Sequence, residues 1–244
     1  MTTADGPHGD DTWAATIRRR TGLGRLLPLG DPEDGAWIAE RAAVTVLREA
    51  ASGPGTGSTP MPVLGELRIR SADPRPVSKE SMQPPPSALP PGPLRMEATM
   101  AAFSDPPLPA AAGALRTALL SAADRHLGLV VSGVDLRVTE LLEAPPAPRG
   151  TAAVGAGEVR PAKAEGEVAA VAAGVPGVAT LTGVLGEAVH TTPGRVRVEF
   201  ATERGHRALD VARAVRAAVA DAVPGRPSVT VLVTAVVTAT PTDP

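Results

Sequence analysis

Two nine-residue stretches, 134–142 (VDLRVTELL) and 229–237 (VTVLVTAVV), alternate apolar and polar side chains with the period of two expected of a strand that buries one face. A second pair shares the pattern. Leu94-Arg95-Met96-Glu97-Ala98 and Val196-Arg197-Val198-Glu199-Phe200 carry Arg and Glu at matching outward positions. Between the two strands of each half the period changes to 3.6. Leu115, Ala118, Leu119, Ala122 and Ala123 mark one helix, and Leu209, Val211, Ala212, Val215, Ala218 and Val219 the other. Gly128 stops the first of these helices and Pro224-Gly225 the second.

Upstream of each set the pattern predicts a further helix and strand. In the first half Asp34 or Gly35 opens a helix with Trp37, Ile38, Ala42, Val44, Leu47 and Ala51 on its apolar face, and residues 63–70 follow as a strand. In the second half Val168 and Val171 lie on a helix and residues 178–185 form a strand. Both halves therefore read α-β-β-α-β. The expected fold class is α/β (α+β): two tandem two-layer sandwich units, each a small sheet with helices on one face.

The boundaries follow from composition. Residues 1–34 read as a mostly flexible arm, 35–143 as the first unit, 144–164 as a linker, 165–238 as the second unit and 239–244 as a tail. The first unit holds a Pro-rich insert at 71–93, where PPP (84–86) and PPGP (90–93) cannot donate regular ladder bonds. The sheet face away from the second unit's helices carries Arg197, Glu199, Thr230, Leu232, Thr234 and Val236. That surface is too apolar for easy solvation and too polar for a core, so it is expected to meet the other unit or a partner.

Aromatic residues make up 2% of the chain, which leaves Val, Leu and Ala to build the cores. The chain has no Cys, so disulfides, thiolate metal sites and cysteine nucleophiles are excluded. The formal charge is −2, and neither half carries the basic excess of a nucleic-acid binder. No leader-like apolar run follows the acidic opening, so the expected location is cytoplasmic, or peripheral at the membrane through a partner.

No motif brings catalytic chemistry. GPGTGST (53–59) lacks the Lys of a phosphate loop and follows a helix, so it reads as a connector. Gly174-Val175-Pro176-Gly177 has the GxxG form of an RNA-clamping KH loop, but it leads into a strand with no Lys or Arg nearby and reads as a tight turn. His8, His126, His190 and His206 share no metal-binding spacing, and neither a nucleophile elbow nor a Ser-x-x-Lys pair occurs. No enzyme activity, metal or cofactor is expected. The candidate contact residues are those of the second unit's outer face, together with Arg18, Arg19, Arg20 and Arg25. With Leu23, Leu26 and Leu27 these basic residues form a basic and apolar segment that could touch anionic lipid or an anchor protein, or pack back on its own domain.

The repeated α-β-β-α-β order, Ile38-Ala39-x-x-Ala42, Val175-Pro176-Gly177-Val178 and the V-x-V-x-V closing strand resemble the alkaline-shock-protein family of bacterial envelope-stress proteins, here in tandem form. More narrowly, GLGRLLPLG (22–30), GAWIAERAA (35–43), PSALPPGPLR (86–95) and LDVARAVRAAVAD (209–221) resemble the GC-rich bacterial proteins labelled "nucleopolyhedrovirus P-ten family". The resemblance implies a non-enzymatic scaffold that self-associates as a homo-oligomer or is held near the membrane by a small anchor or a second alkaline-shock protein. It supplies no catalytic residue. The first unit departs from the pattern in its Pro-rich insert and in having GPGTGSTPMP (53–62) where VPGV is expected. Two other modules share the order of elements: BON-type lipid-contacting domains and KH-type RNA-binding domains.

Overall fold

The computed structural model describes residues 23–53, 61–72, 84–85, 87–143, 159 and 161–238. Within these, the chain folds as an α+β protein in which the α-β-β-α-β order occurs twice. The first unit runs α1 (Glu40–Ala51), β3 (Val63–Ser71), β4 (Leu94–Phe103), α2 (Leu108–Ala122) and β5 (Val131–Leu142). A π-turn at Ala123–Leu127 prolongs α2. The second unit runs α3 (Glu167–Ala173), β6 (Val178–Leu181), β7 (Val189–Thr192), β8 (Arg195–Glu203), α4 (Ala208–Ala222) and β9 (Ser228–Val237).

The two sheets share one topology. In the first, β3 is antiparallel to the central β4, and β5 joins its other side in parallel through the α2 crossover. In the second, β6 and β7 together take the place of β3, both antiparallel to β8, and β9 joins in parallel through α4. Leu94, Met96 and Met100 on β4 and Val196, Val198 and Phe200 on β8 are buried, as the alternation requires. On α4, Leu209, Ala212, Val215 and Val219 form the matching stripe at helical spacing.

The structure differs from the sequence reading ahead of α1. Trp37 and Ile38 lie not on a helix but on the strand β2 (Ala36–Ala39), which pairs antiparallel with β1 (Leu26–Leu29). This hairpin precedes the first unit in sequence but extends the second unit's sheet, with β2 parallel to β9 at Ala36↔Val231, Trp37↔Leu232 and Ile38↔Val233. The expected flexible arm therefore holds, in its 26–34 part, an ordered strand and turn. Every residue of both strands is buried. Such a run shows no alternation, and over four residues helix and buried strand cannot be told apart by period.

The hairpin makes the two units one body, and buried side chains from both form a continuous apolar core. Polar ties cross the junction. Arg213 holds Asp34 by two bonds of 2.8 Å, and these hydrogen bonds pull the Asp34 carboxyl below its ordinary pKa. Arg207 donates to the Asp124 carbonyl at 2.8 Å, and Arg204 pairs with Glu49. Gly30 N–H donates to the Gly128 carbonyl at 3.0 Å. Among the described residues no helix is long and apolar enough to cross a membrane.

Candidate interaction surface

The duplicated Arg-x-Glu strands end in opposite environments. On β4, Arg95 and Glu97 point away from the helices onto an open face. There β3 contributes Glu66, Arg68 and Arg70, and β5 contributes Asp135 and Arg137, each two residues apart as a strand requires. Charges of opposite sign meet both along β3 and across the strands. Arg70 lies 3.2 Å from Glu97, Arg68 lies 3.3 Å from Glu66, and the Arg95 fork holds Asp135, with Nη2 to Oδ1 at 2.9 Å. The hydrogen bonds from Arg95 lower the Asp135 pKa. Glu66, Arg68, Glu97, Thr99, Asp135 and Arg137 line an open trough of about 580 Å³. Surface pairs of this kind add little stability. Their consequence is a patterned, solvated face.

On β8 the same dipeptide is covered. Glu199 is fully buried, and Arg197 is 23% exposed in its side chain. The strand opposite β8 breaks at this point. Leu181 pairs with Phe200 and Val189 with Val198, and the chain between them leaves the sheet. Thr182 N–H donates to the Glu199 carbonyl, and Glu199 N–H donates to Ala188 O, so the excursion begins and ends on the two backbone groups of one residue. The Glu199 side chain fills the excursion, its Oε2 accepting Val184 N–H at 2.8 Å and Leu185 N–H at 3.0 Å. Glu199 Oε1 lies 3.2 Å from Arg197 Nη2 without hydrogen-bond alignment. Burial pushes the carboxyl above its ordinary pKa, against the pull of those two amides and of Arg197.

Other candidates from the sequence sort as follows. Arg197 neighbours Thr230, and Glu199 neighbours Leu232, in the β8–β9 ladder, so these four do share one face. Leu232 is buried, as is Thr234, whose hydroxyl pairs with Thr182 at 2.8 Å and donates to the Phe200 carbonyl at 3.1 Å. That face is thus largely closed by the chain itself. Arg25 is not with them. It forks onto Glu40, with Nη2 at 2.6 Å from Oε1, and reaches the Ile69 carbonyl at 2.6 Å, tying β1 to α1 and β3. Packing back on its own domain is the arrangement of Arg25, Leu26 and Leu27. Arg18, Arg19 and Arg20 lie outside the described residues, as do 54–60 of the Gly-rich connector and 73–83 of the Pro-rich insert.

Replacing Arg25 with Ala is expected to lower stability by about 1 kcal/mol, since the pair is charge-assisted but half-exposed. Urea unfolding would show this as a lower midpoint at unchanged slope.

The GxxG turn sits between α3 and β6, with Gly177 at φ 88° packed so closely that a Cβ there would come within 2.7 Å of Val211 and 2.9 Å of His206. It is a packed junction, not a projecting loop. The residues that the sequence reading passed over as contact candidates are Glu66, Arg68, Arg70, Asp135 and Arg137. Their signal was legible as charge at every second position on three strands, but only the topology puts those strands side by side. No family model, curated protein or solved structure matches this chain.

Proposed function

We propose that the chain is a non-enzymatic interaction protein of the alkaline-shock type that its repeat resembles, working near the membrane by docking a protein partner on the first unit's sheet. One observation carries this reading. The same unit is built twice, and the copy whose outer face is closed by its own excursion and whose β9 edge is covered by β2 sits beside a copy in which both are open among the described residues. A protein that needed only a stable body would have no use for a charged trough flanked by bare strands. The alternating signs favour a protein surface with its own alternating charge over a polyanion, because acidic residues are interspersed with the arginines.

The experiment uses the whole chain immobilised and exposed to a native envelope fraction, with the double variant R68E/R70E as comparison. Arg68 and Arg70 are more than half exposed, so the variant is expected to fold normally by circular dichroism. The reading predicts a specific protein retained by the wild type and reduced about tenfold by the variant, a change of about 1.4 kcal/mol. Equal retention by both, or none by either, would overturn it.

A further inference from the structure

We infer that the free edge of β5 is a self-association site, on which a second copy of this chain adds its own β5 antiparallel to the first. The inference rests on the reading of the first unit as the adhesive one and names the occupant of its edge.

The second unit shows what this edge can do. In the two ladders Met96, Glu97 and Ala98 correspond to Val198, Glu199 and Phe200, so Val134, Asp135 and Leu136 stand where Val231, Leu232 and Val233 stand on β9. Those three β9 residues are the ones that take β2 as a neighbouring strand. Leu232 is fully buried, whereas its counterpart Asp135 is exposed, and further along β5 Val138 is 39% and Leu141 60% exposed. Among the described residues β5 pairs with β4 alone, leaving a twelve-residue strand with one open side. A long edge of this kind with exposed apolar residues is a template for strand addition.

Charge selects the occupant and the register. A two-fold axis through Leu136 sets Val134 against Val138 of the other copy and Asp135 against Arg137, twice over, because the contact is isologous. Moving the axis by one residue either way would oppose Asp135 to Asp135 or Arg137 to Arg137, and like charges directly opposite are unfavourable. Arg137 is exposed and has no ion pair among the described residues, and Asp135 already points onto the same face. The strand is therefore complementary to itself in a single register. Two short strands bury less than the roughly 1,000 Å² of a robust interface, so the dimer is expected to be weak, with a Kd in the micromolar range or above.

Sedimentation equilibrium on the full chain, from about 1 to 500 µM, reads the association directly. The wild type is expected to move from monomer to dimer over this range. R137D places carboxylates at 135 and 137 on both copies and is expected to weaken the dimer at least tenfold, and D135R does the same with two guanidiniums. Mixing the two variants restores opposite charges in both pairs, so the mixture is expected to form a heterodimer although neither variant self-associates. R137D alters only an exposed, unpaired side chain, so a folding defect in D135R would still leave the comparison with wild type. A wild type that stays monomeric at 500 µM, an R137D that dimerises like wild type, or a mixture of two folded variants that stays monomeric would each overturn the inference. Retention of a different protein on the trough would then leave the proposed function standing.

Discussion

Gly128→Ala is expected to destabilise the protein by about 3 kcal/mol, while the same change at Gly113 stabilises it by about 0.5–1 kcal/mol. The two glycines lie on one helix and its extension, and only one has a reason to be glycine. Gly128 follows the π-turn at φ 84°, in the left-handed region, where an L side chain costs about 1–2 kcal/mol. It also has no room: a Cβ would lie 2.4 Å from the Cβ of Leu209 and 2.8 Å from its Cδ2. Leu209 is buried at the start of α4, so Gly128 is where the first unit's crossover helix meets the second unit's. Its carbonyl accepts Gly30 N–H from the hairpin at the same place. Gly113 is helical, and nothing approaches within 4 Å of a Cβ built there. Thermal unfolding separates the two variants, with a fall of about 6–12 °C expected for Gly128→Ala. Adding Leu209→Ala, which removes Cγ and Cδ2 but keeps the Cβ, should return the share of that loss due to the outer carbons as a coupling in a double-mutant cycle. Additive effects would mean that the outer carbons of Leu209 contribute nothing to the crowding at this junction.

The duplicated order of elements was legible in the sequence because each strand of the repeat keeps one wet face. Alternation survives in 94–100, 134–138 and 196–202, and the topology follows from placing a helix between two such strands. The hairpin was not legible for the opposite reason. Leu26, Leu27, Leu29, Ala36, Trp37 and Ile38 are covered on both sides, so nothing in their order distinguishes a strand from the first turn of α1. The interruption of the second unit's outer strand was half-visible. Val178 to Leu181 alternates, and Gly183 and Gly186 mark the departure, but a single strand through residue 185 satisfied the same pattern. A Cβ on Gly183 would come within 2.5 Å of the Gly186 carbonyl, which is the tight chain reversal that the two glycines permit.

The candidate surface was legible as composition and not as location. Arg-x-Glu occurs on both central strands, and period alone assigns both pairs to solvent. Whether the pair stays there depends on seven residues of the neighbouring strand, which run straight past Glu97 as β3 but fold over Glu199 as residues 182–188. Duplication thus gives the chain two sheets of one design with different exposures. Among the described residues, β2 and the excursion cover the second sheet's β9 edge and outer face, while the first unit's trough and β5 edge stay open.

Glu199→Ala is expected to cost about 2–3 kcal/mol, and Glu199→Gln much less, with a difference that depends on pH. The alanine variant leaves Val184 N–H and Leu185 N–H without their acceptor and removes the carboxylate that faces Arg197, and a buried group so orphaned costs about 1–3 kcal/mol. Glutamine keeps an amide oxygen at the position of Oε2 and removes the buried charge, so the excursion stays closed. The sign of the pH effect follows from burial. The folded-state pKa lies above the ordinary 4.5, so the folded chain binds the proton more tightly than the unfolded chain does. The stabilising contribution of the protonated carboxyl is fully present below pH 4.5 and is lost as pH rises through the folded-state value. Asp34 works in the opposite sense and lower on the scale. Its pKa is depressed below 3.8 by Arg213, so its contribution is present above that value and lost as pH falls through the folded one. Urea midpoints measured from pH 4 to 8 should therefore decline for wild type across the Glu199 window, relative to a flatter profile for Glu199→Gln. Parallel profiles would mean that the carboxylate is as well solvated in the folded chain as in the unfolded one, and that Glu199 is not the group that holds the excursion on β8.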